Sequence, residues 1–193
     1  AAGTNGTVLA LTVFRGELIA GGSFVAAGGA GAKRVAAWNG ERWRPLAGGV
    51  DGDVFALAVY ADELIAGGSF AHADGRVAYR IARWDGQTWN SLGRDTSSGH
   101  VTALTVFRDE LIIAGTFVWP SDGPASANRI ARWNRSTGTL LPLGFGMNQY
   151  INCLTVAGDE LFAGGVFSSA DGLPARSAAR WDGARWWPMG EGL

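Results

Sequence analysis

ELIAGGSF occupies residues 17–24 and returns letter for letter at 63–70. Two altered copies follow, ELIIAGTF at 110–117 and ELFAGGVF at 160–167. Glu17, Glu63, Glu110 and Glu160 are thus 46, 47 and 50 residues apart. Trp38, Trp84, Trp133 and Trp181 give intervals of 46, 49 and 48. Two landmarks with one period define an internal repeat. Four copies fill all 193 residues, so a single repeat domain is expected over 1–193, with copies at about 1–50, 51–97, 98–147 and 148–193.

Each copy holds four short apolar runs. In the second they read VFALAVY (54–60), ELIAGGSF (63–70), YRIARWD (79–85) and TWNSLG (88–93). They are rich in β-branched and aromatic residues and are bounded by Gly, Asp and Asn, which predicts strands and turns with no competing helical period. The first two runs are joined by RG, AD, RD or GD, and the last two by NGER, DGQ or DGAR in copies one, two and four. Asn-Gly and Asp-Gly suit tight hairpins because both residues accept positive φ. Each copy is therefore predicted to be a four-stranded antiparallel meander. Both of its faces are apolar, and stacking copies around an axis covers them. The fold class expected is all-β and β-propeller-like, with four four-stranded blades. The paired glycines at 21–22, 67–68 and 164–165 are expected to admit a close neighbour. The rings expected there are a third- or fourth-strand Trp, such as Trp43, Trp89 or Trp186. Copy three is expected to lose the second glycine at Thr116, and has Leu140 in place of the fourth-strand Trp.

The run AGGSF…RIARWDG…W…LG resembles the Kelch repeat of β-propellers. It is closer still to kelch-related repeats of large bacterial surface and secreted proteins and of fungal cortical marker proteins. The resemblance covers all four copies. It implies a propeller fold, a binding or assembly role, and an extracellular or cell-surface location. The interval from Trp84 to Trp89 is one residue tighter than the usual spacing. WDGQTW is also similar to a sialidase Asp-box, but Gly86 directly after Asp85 breaks that motif.

The sequence begins at the first strand of copy one and ends just after the fourth strand of copy four. No spare strand is seen to mix the two ends in one blade. Four blades must close a small ring or leave two apolar blade faces open. The expectation favours half of an eight-blade ring completed by a second copy as a homodimer, with a closed four-blade ring as the alternative and a piece of a longer array as a third possibility.

The formal charge of −1 gives no electrostatic case for nucleic acid. No run of about 18 apolar residues suggests a membrane helix. No signal peptide is visible and the sequence does not begin with Met, as expected of a mature form, an excised piece or an engineered chain. Arg outnumbers Lys 15 to 1, which reads as coding bias rather than function. The single cysteine, Cys153, excludes an intrachain disulfide; it aligns with Ala10, Ala56 and Ala103 and is expected to be a small core residue.

Chemistry is sparse. His72 and His100 lie in different copies and form no metal-ligand spacing, and no cofactor is expected. Copper-radical oxidases share the kelch fold but need Tyr, Cys and His ligands that this sequence does not cluster. The repeated glutamates, with Arg34, Arg80 and Arg129, read as structural pairs, because a single active site breaks repeat symmetry. Asp74-Gly75, Asp122-Gly123 and Asp171-Gly172 read as turns, since one carboxylate per loop is too few for calcium. No catalytic residue is expected.

The second-to-third-strand loops differ between copies, as binding loops do. Copy three carries Trp119-Pro120 there, and Tyr150 follows Met147-Asn148-Gln149 in a connection at the same end. Trp119, Tyr150 and His72 are the candidate ligand-binding residues. A non-enzymatic module for binding or self-assembly is the first reading, a carbohydrate-binding propeller using the variable loops the second, and a propeller enzyme fragment the third. Possible ligands are a glycan or a protein.

Overall fold

The computed structural model describes residues 2–92, 99–119 and 127–190; of Trp119 and Ala127 only the backbone is described. All regular structure in these residues is β. The four copies are four antiparallel sheets of four strands. Blade 1 comprises Val8–Phe14, Glu17–Gly22, Val35–Trp38 and Trp43–Pro45. Blade 2 comprises Val54–Tyr60, Glu63–Gly68, Ile81–Trp84 and Trp89–Ser91. Blade 3 comprises Val101–Phe107, Glu110–Trp119, Ala127–Asn134 and Thr139–Pro142, and blade 4 Ile151–Ala157, Glu160–Gly165, Ala178–Trp181 and Trp186–Pro188. Contacts divide the chain into two compact units, Ala1–Arg94 and Asp95–Leu193, each built of two blades.

The turns follow the sequence chemistry. Arg15-Gly16, Ala61-Asp62 and Arg108-Asp109 all take positive φ at both positions, the backbone of the two-residue turn whose twist matches the flanking strands. The third-to-fourth-strand turns place Gly40, Gly86 and Gly183 at positive φ. Between the second and third strands the structure adds something the sequence reading missed. In blades 1, 2 and 4 the loop folds into its own two-residue ladder, as Ala26–Ala27 with Ala30–Gly31, His72–Ala73 with Arg76–Val77, and Ser169–Ala170 with Leu173–Pro174. Asp74-Gly75 and Asp171-Gly172 are the turns of these ladders, with positive φ at all four residues. Asp122-Gly123 lies outside the described residues.

The glycine pair has two separate causes, and neither is a tryptophan. A Cβ on Gly22 would strike the carbonyl of Thr7, and Gly68, Gly115 and Gly165 face Asp53, His100 and Tyr150 in the same way. Each lies beside the register shift that opens the ladder between the first two strands. A Cβ on Gly21 would instead meet Val54 and Leu57 of the next blade. In copy three the second glycine persists as Gly115, and the first is replaced, by Ala114. Thr116 aligns with Ser23.

Within each unit the blades stack on a shared core. In the first, Phe14, Ile19, Val35 and Leu46 of blade 1 pack with Leu64, Phe70, Trp84 and Trp89 of blade 2. In the second, Phe107, Ile112, Ile130 and Leu143 pack with Leu161, Phe167, Trp181 and Trp186. Burying each leucine-sized side chain contributes roughly 1.5–3 kcal/mol. The fourth-strand tryptophans also bond across the stack. Trp89 Nε1 donates to Leu46 O and Trp186 Nε1 to Leu143 O, both at 2.9 Å.

The repeated glutamates do not pair with Arg34, Arg80 and Arg129. Glu17 pairs with Arg44, Glu63 with Arg83, Glu110 with Arg132 and Glu160 with Arg180. These pairs are partly exposed, so each contributes under about 1 kcal/mol. Arg34, Arg80 and Arg129 take left-handed backbone at the entry to the third strand, with φ of 66°, 75° and 68°. Each turns its guanidinium back onto a carbonyl, of Ser23, Ser69 and Thr116. Arg34 also reaches Asp53 at 3.3 Å.

Candidate functional site

In blades 1, 2 and 4 the variable loops are anchored by an Asn or Asp three residues before the first strand. Asn5 Oδ1 accepts from the backbone N–H of Val25 and Ala26 at 2.9 and 2.8 Å. Asp51 Oδ1 accepts from Ala71 and His72, both at 2.8 Å. Asn148 Oδ1 accepts from Ser168 and Ser169 at 2.9 and 3.0 Å. One side chain thus satisfies two loop donors that no ladder reaches. The constant spacing of Asn5, Asp51 and Asn148 to Val8, Val54 and Ile151 is the trace this anchor leaves in the sequence.

His72 belongs to this anchor. Its Nδ1 lies 2.7 Å from Asp51 Oδ2, and both side chains are about half exposed. Partial burial pushes the Asp51 carboxyl up, but the hydrogen bonds from His72 and Ala71 outweigh it and hold the group below its ordinary value. Tyr150, in the second unit, lies under the Arg129 guanidinium, 5.2 Å from its ring centre. The backbone of Trp119 ends its strand opposite Ala127; its side chain, and the loop from 120 to 126, lie outside the described residues. His72 stands in the first unit and Tyr150 in the second.

The opposite end carries acidic tight turns. Asp85 accepts from the backbone N–H of Thr88 and Gln87 and from the Thr88 hydroxyl, which lowers its carboxyl to about 2. Asp182 accepts from the Trp187 indole and from the N–H of Arg185 and Ala184, again lowering it to about 2. These carboxylates serve their own turns.

Two grooves are present, the first beside blade 1 and the link to blade 2, the second between blades 3 and 4. One, of about 550 Å³, is lined by Lys33, Arg34, Pro45 and Asp51 among others. The other, of about 440 Å³, is lined by Arg108, Glu110, Arg132 and Trp181 among others. In the second, Arg132 is paired with Glu110 at 2.7 Å, and Arg108 donates to the carbonyls of Asp159 and Asp182. Neither groove sets a nucleophile beside a base. Among the described residues, no group of three or more His, Cys, Asp or Glu side chains could hold a metal ion. No described helix is long and apolar enough to cross a membrane.

The least satisfied surface is a blade face. Leu9, Leu11 and Val13 of the first strand are exposed, Leu11 by 60% and Val13 by 63%. Leu18, Trp38 and Trp43 on the same sheet face are only half-buried. On blade 4 the open positions include Cys153, Thr155 and Ala157. Cys153 is exposed, contrary to its expected core position. Of its counterparts, Ala103 packs in the core shared with blade 4, Ala103 and Ala56 are each 7% exposed, and Ala10 is half-buried.

No protein-family model matches the sequence, and no curated protein matches it. Solved structures share the fold. The computationally designed Ika8 protein matches with a TM-score of 0.58 at 19% identity, over 98% of this chain and 52% of that one. The computationally designed Ika4 protein matches with a TM-score of 0.56 at 17% identity, over 93% of this chain and 92% of that one. The RRP9 WD40 repeats match with a TM-score of 0.56 at 15% identity, over 96% of this chain and 51% of that one. This chain therefore spans about half the length of Ika8 and of the RRP9 repeats. The fold is all-β and propeller-like, made of repeated four-stranded blades. The WD40 likeness supports a propeller repeat and does not single out the kelch type.

Proposed function

We propose that this chain is a non-enzymatic, kelch-like propeller module whose role is binding and self-assembly. The single observation that carries the reading is the open apolar face of blade 1. On the same face of blades 2 and 4, Leu64, Trp84 and Trp89 and Leu161, Trp181 and Trp186 are buried against a neighbouring blade. An exposed strip of Leu, Val and Trp on a water-soluble surface marks a site of association. The repeated polar groups are otherwise engaged: the glutamates in cross-strand ion pairs, and the Asn and Asp anchors in holding loops. Light scattering across a concentration series tests this. A species near twice the 20.2 kDa chain mass, growing with concentration, is the expected result. A single chain at every concentration overturns self-assembly.

A further inference from the structure

We infer that the open face of blade 1 docks a blade of the same repeat, presented by blade 4 of a second copy of this chain. The inference rests on the assembly reading above and adds to it the face, the occupant and the register.

The chain contains its own comparison. Val13 is 63% exposed, whereas its counterparts Val59 and Val156 are each 37% exposed. Leu18 is half-buried where Leu64 and Leu161 are fully buried. Trp38 and Trp43 are half-buried where Trp84, Trp89, Trp181 and Trp186 are buried. Blades 2 and 4 each have a preceding blade of their own unit on this face.

Two features specify a repeat blade rather than any apolar partner. Trp89 and Trp186 give their indole protons to Leu46 O and Leu143 O of the preceding blade. Trp43 has no such acceptor among the described residues. The residue of blade 4 that aligns with Leu46 and Leu143 is Met189, which is 42% exposed. The second feature is the glycine gap. Gly21 of blade 1 leaves the space that Val54 and Leu57 of blade 2 fill. Blade 4 has Gly164 at that place, where an added Cβ would meet the side chain of Cys153 and nothing of another blade. Blade 1 has Val8 and Leu11 as the counterparts of Val54 and Leu57, and both are exposed. The two halves of one joint are thus present on opposite ends of the sequence.

Two polar ties found inside the units are missing from this joint. Arg15 and Arg108 reach carbonyls of the next blade, but blade 4 has Gly158 in their place. Asp74 and Asp171 accept from the preceding blade's backbone at Gly48 and Phe145, but blade 1 has Gly28 there. The seam therefore rests more on apolar packing and the indole hydrogen bond than the joints inside the units do. It is reversible and does not weaken with salt. It is also head-to-tail, so copies joined by it close into a ring or extend.

The test uses the native Cys153. Val8→Cys and Leu11→Cys are each made in the full chain and oxidised with oxidised glutathione, which takes up the two electrons and two protons released as the disulfide forms. Denaturing electrophoresis without reductant reads the product. Wild type and Val25→Cys, an exposed loop position, are the controls. Expected is a covalent dimer or ladder from one or both seam variants, several-fold above both controls. Leu11→Asp should raise the dissociation concentration at least tenfold, and 0.5 M salt should not. If the wild type associates but no seam variant is trapped and Leu11→Asp changes nothing, the seam is overturned while the assembly reading stands. A wild type that stays a single chain at every concentration overturns both.

Discussion

Replacing each glycine of the repeated ELIAGGSF strand by alanine should give three different costs, because the same letters meet three different neighbours. A methyl on Gly22 would overlap Thr7 O and come within 3.0 Å of Val8 Cα. Thr7 O cannot retreat easily, since it accepts from Ser23 N at 2.9 Å. Either the bulge or that bond is lost, so Gly22→Ala should cost more than about 3 kcal/mol. A methyl on Gly21 meets side chains instead, with Val54 Cγ1 at 2.5 Å, Val54 Cβ at 3.1 Å and Leu57 Cδ1 at 3.3 Å. These can shift within the stack, and the overpacking should cost about 1–3 kcal/mol. A methyl on Gly164 meets Cys153 Sγ at 2.7 Å and Ser177 O at 3.9 Å, and the exposed thiol, held only by a weak bond to Gly164 O, can turn aside. Gly164→Ala should be neutral, or stabilising by up to about 1 kcal/mol through the reduced freedom of the unfolded chain. Urea unfolding of the three variants at low chain concentration, with unchanged slope, gives the comparison. A Gly22→Ala cost below that of Gly21→Ala, or a Gly164→Ala cost equal to it, would refute this account of the pair.

Other outcomes follow from the same structure. Trp89→Phe removes the buried bond to Leu46 O and part of a packed ring, and should cost about 2 kcal/mol. Trp43→Phe, without that acceptor, should cost under about 0.5 kcal/mol in dilute protein, as read by the same urea curves. Asp51→Ala and Asn148→Ala should each cost about 1–2 kcal/mol, as loss of a helix cap does, by stranding two loop donors; Asp51→Asn, which keeps an acceptor oxygen, should cost less. The carboxyls of Asp85 and Asp182 lie at about 2, below their ordinary 3.8. Their contribution is therefore complete above about pH 4 and is lost as pH falls through 3.8 toward about 2. A melting-temperature series over that window should be flatter for the Asp85→Asn, Asp182→Asn double variant than for wild type.

Sequence alone determined the repeat, the four strands of each blade and their tight turns. These depend on local rules: alternation of apolar residues, β-branched composition, and residues that accept positive φ. Such rules act between near neighbours and leave a trace in every copy. The structural character of the repeated glutamates was also legible, because a single site does not recur four times. Their partners were not. Glu17 chose Arg44 and Glu63 chose Arg83, since strand register, not the nearest available arginine in the pattern, sets which side chains meet. Cys153 shows the same limit. Aligned with alanines, two of them buried, it reads as core, yet it is exposed, because the alignment of letters does not record what packs over the position. The glycine pair was legible as a place of close approach, but its two causes separate only when the bulge and the stacked blade are both in place. Tertiary structure alone decided which blade faces are covered, and so where the chain has surface left to bind with. Covering a face is a long-range event between elements about 46 residues apart or more, and identical letters carry no record of which copy will find a neighbour.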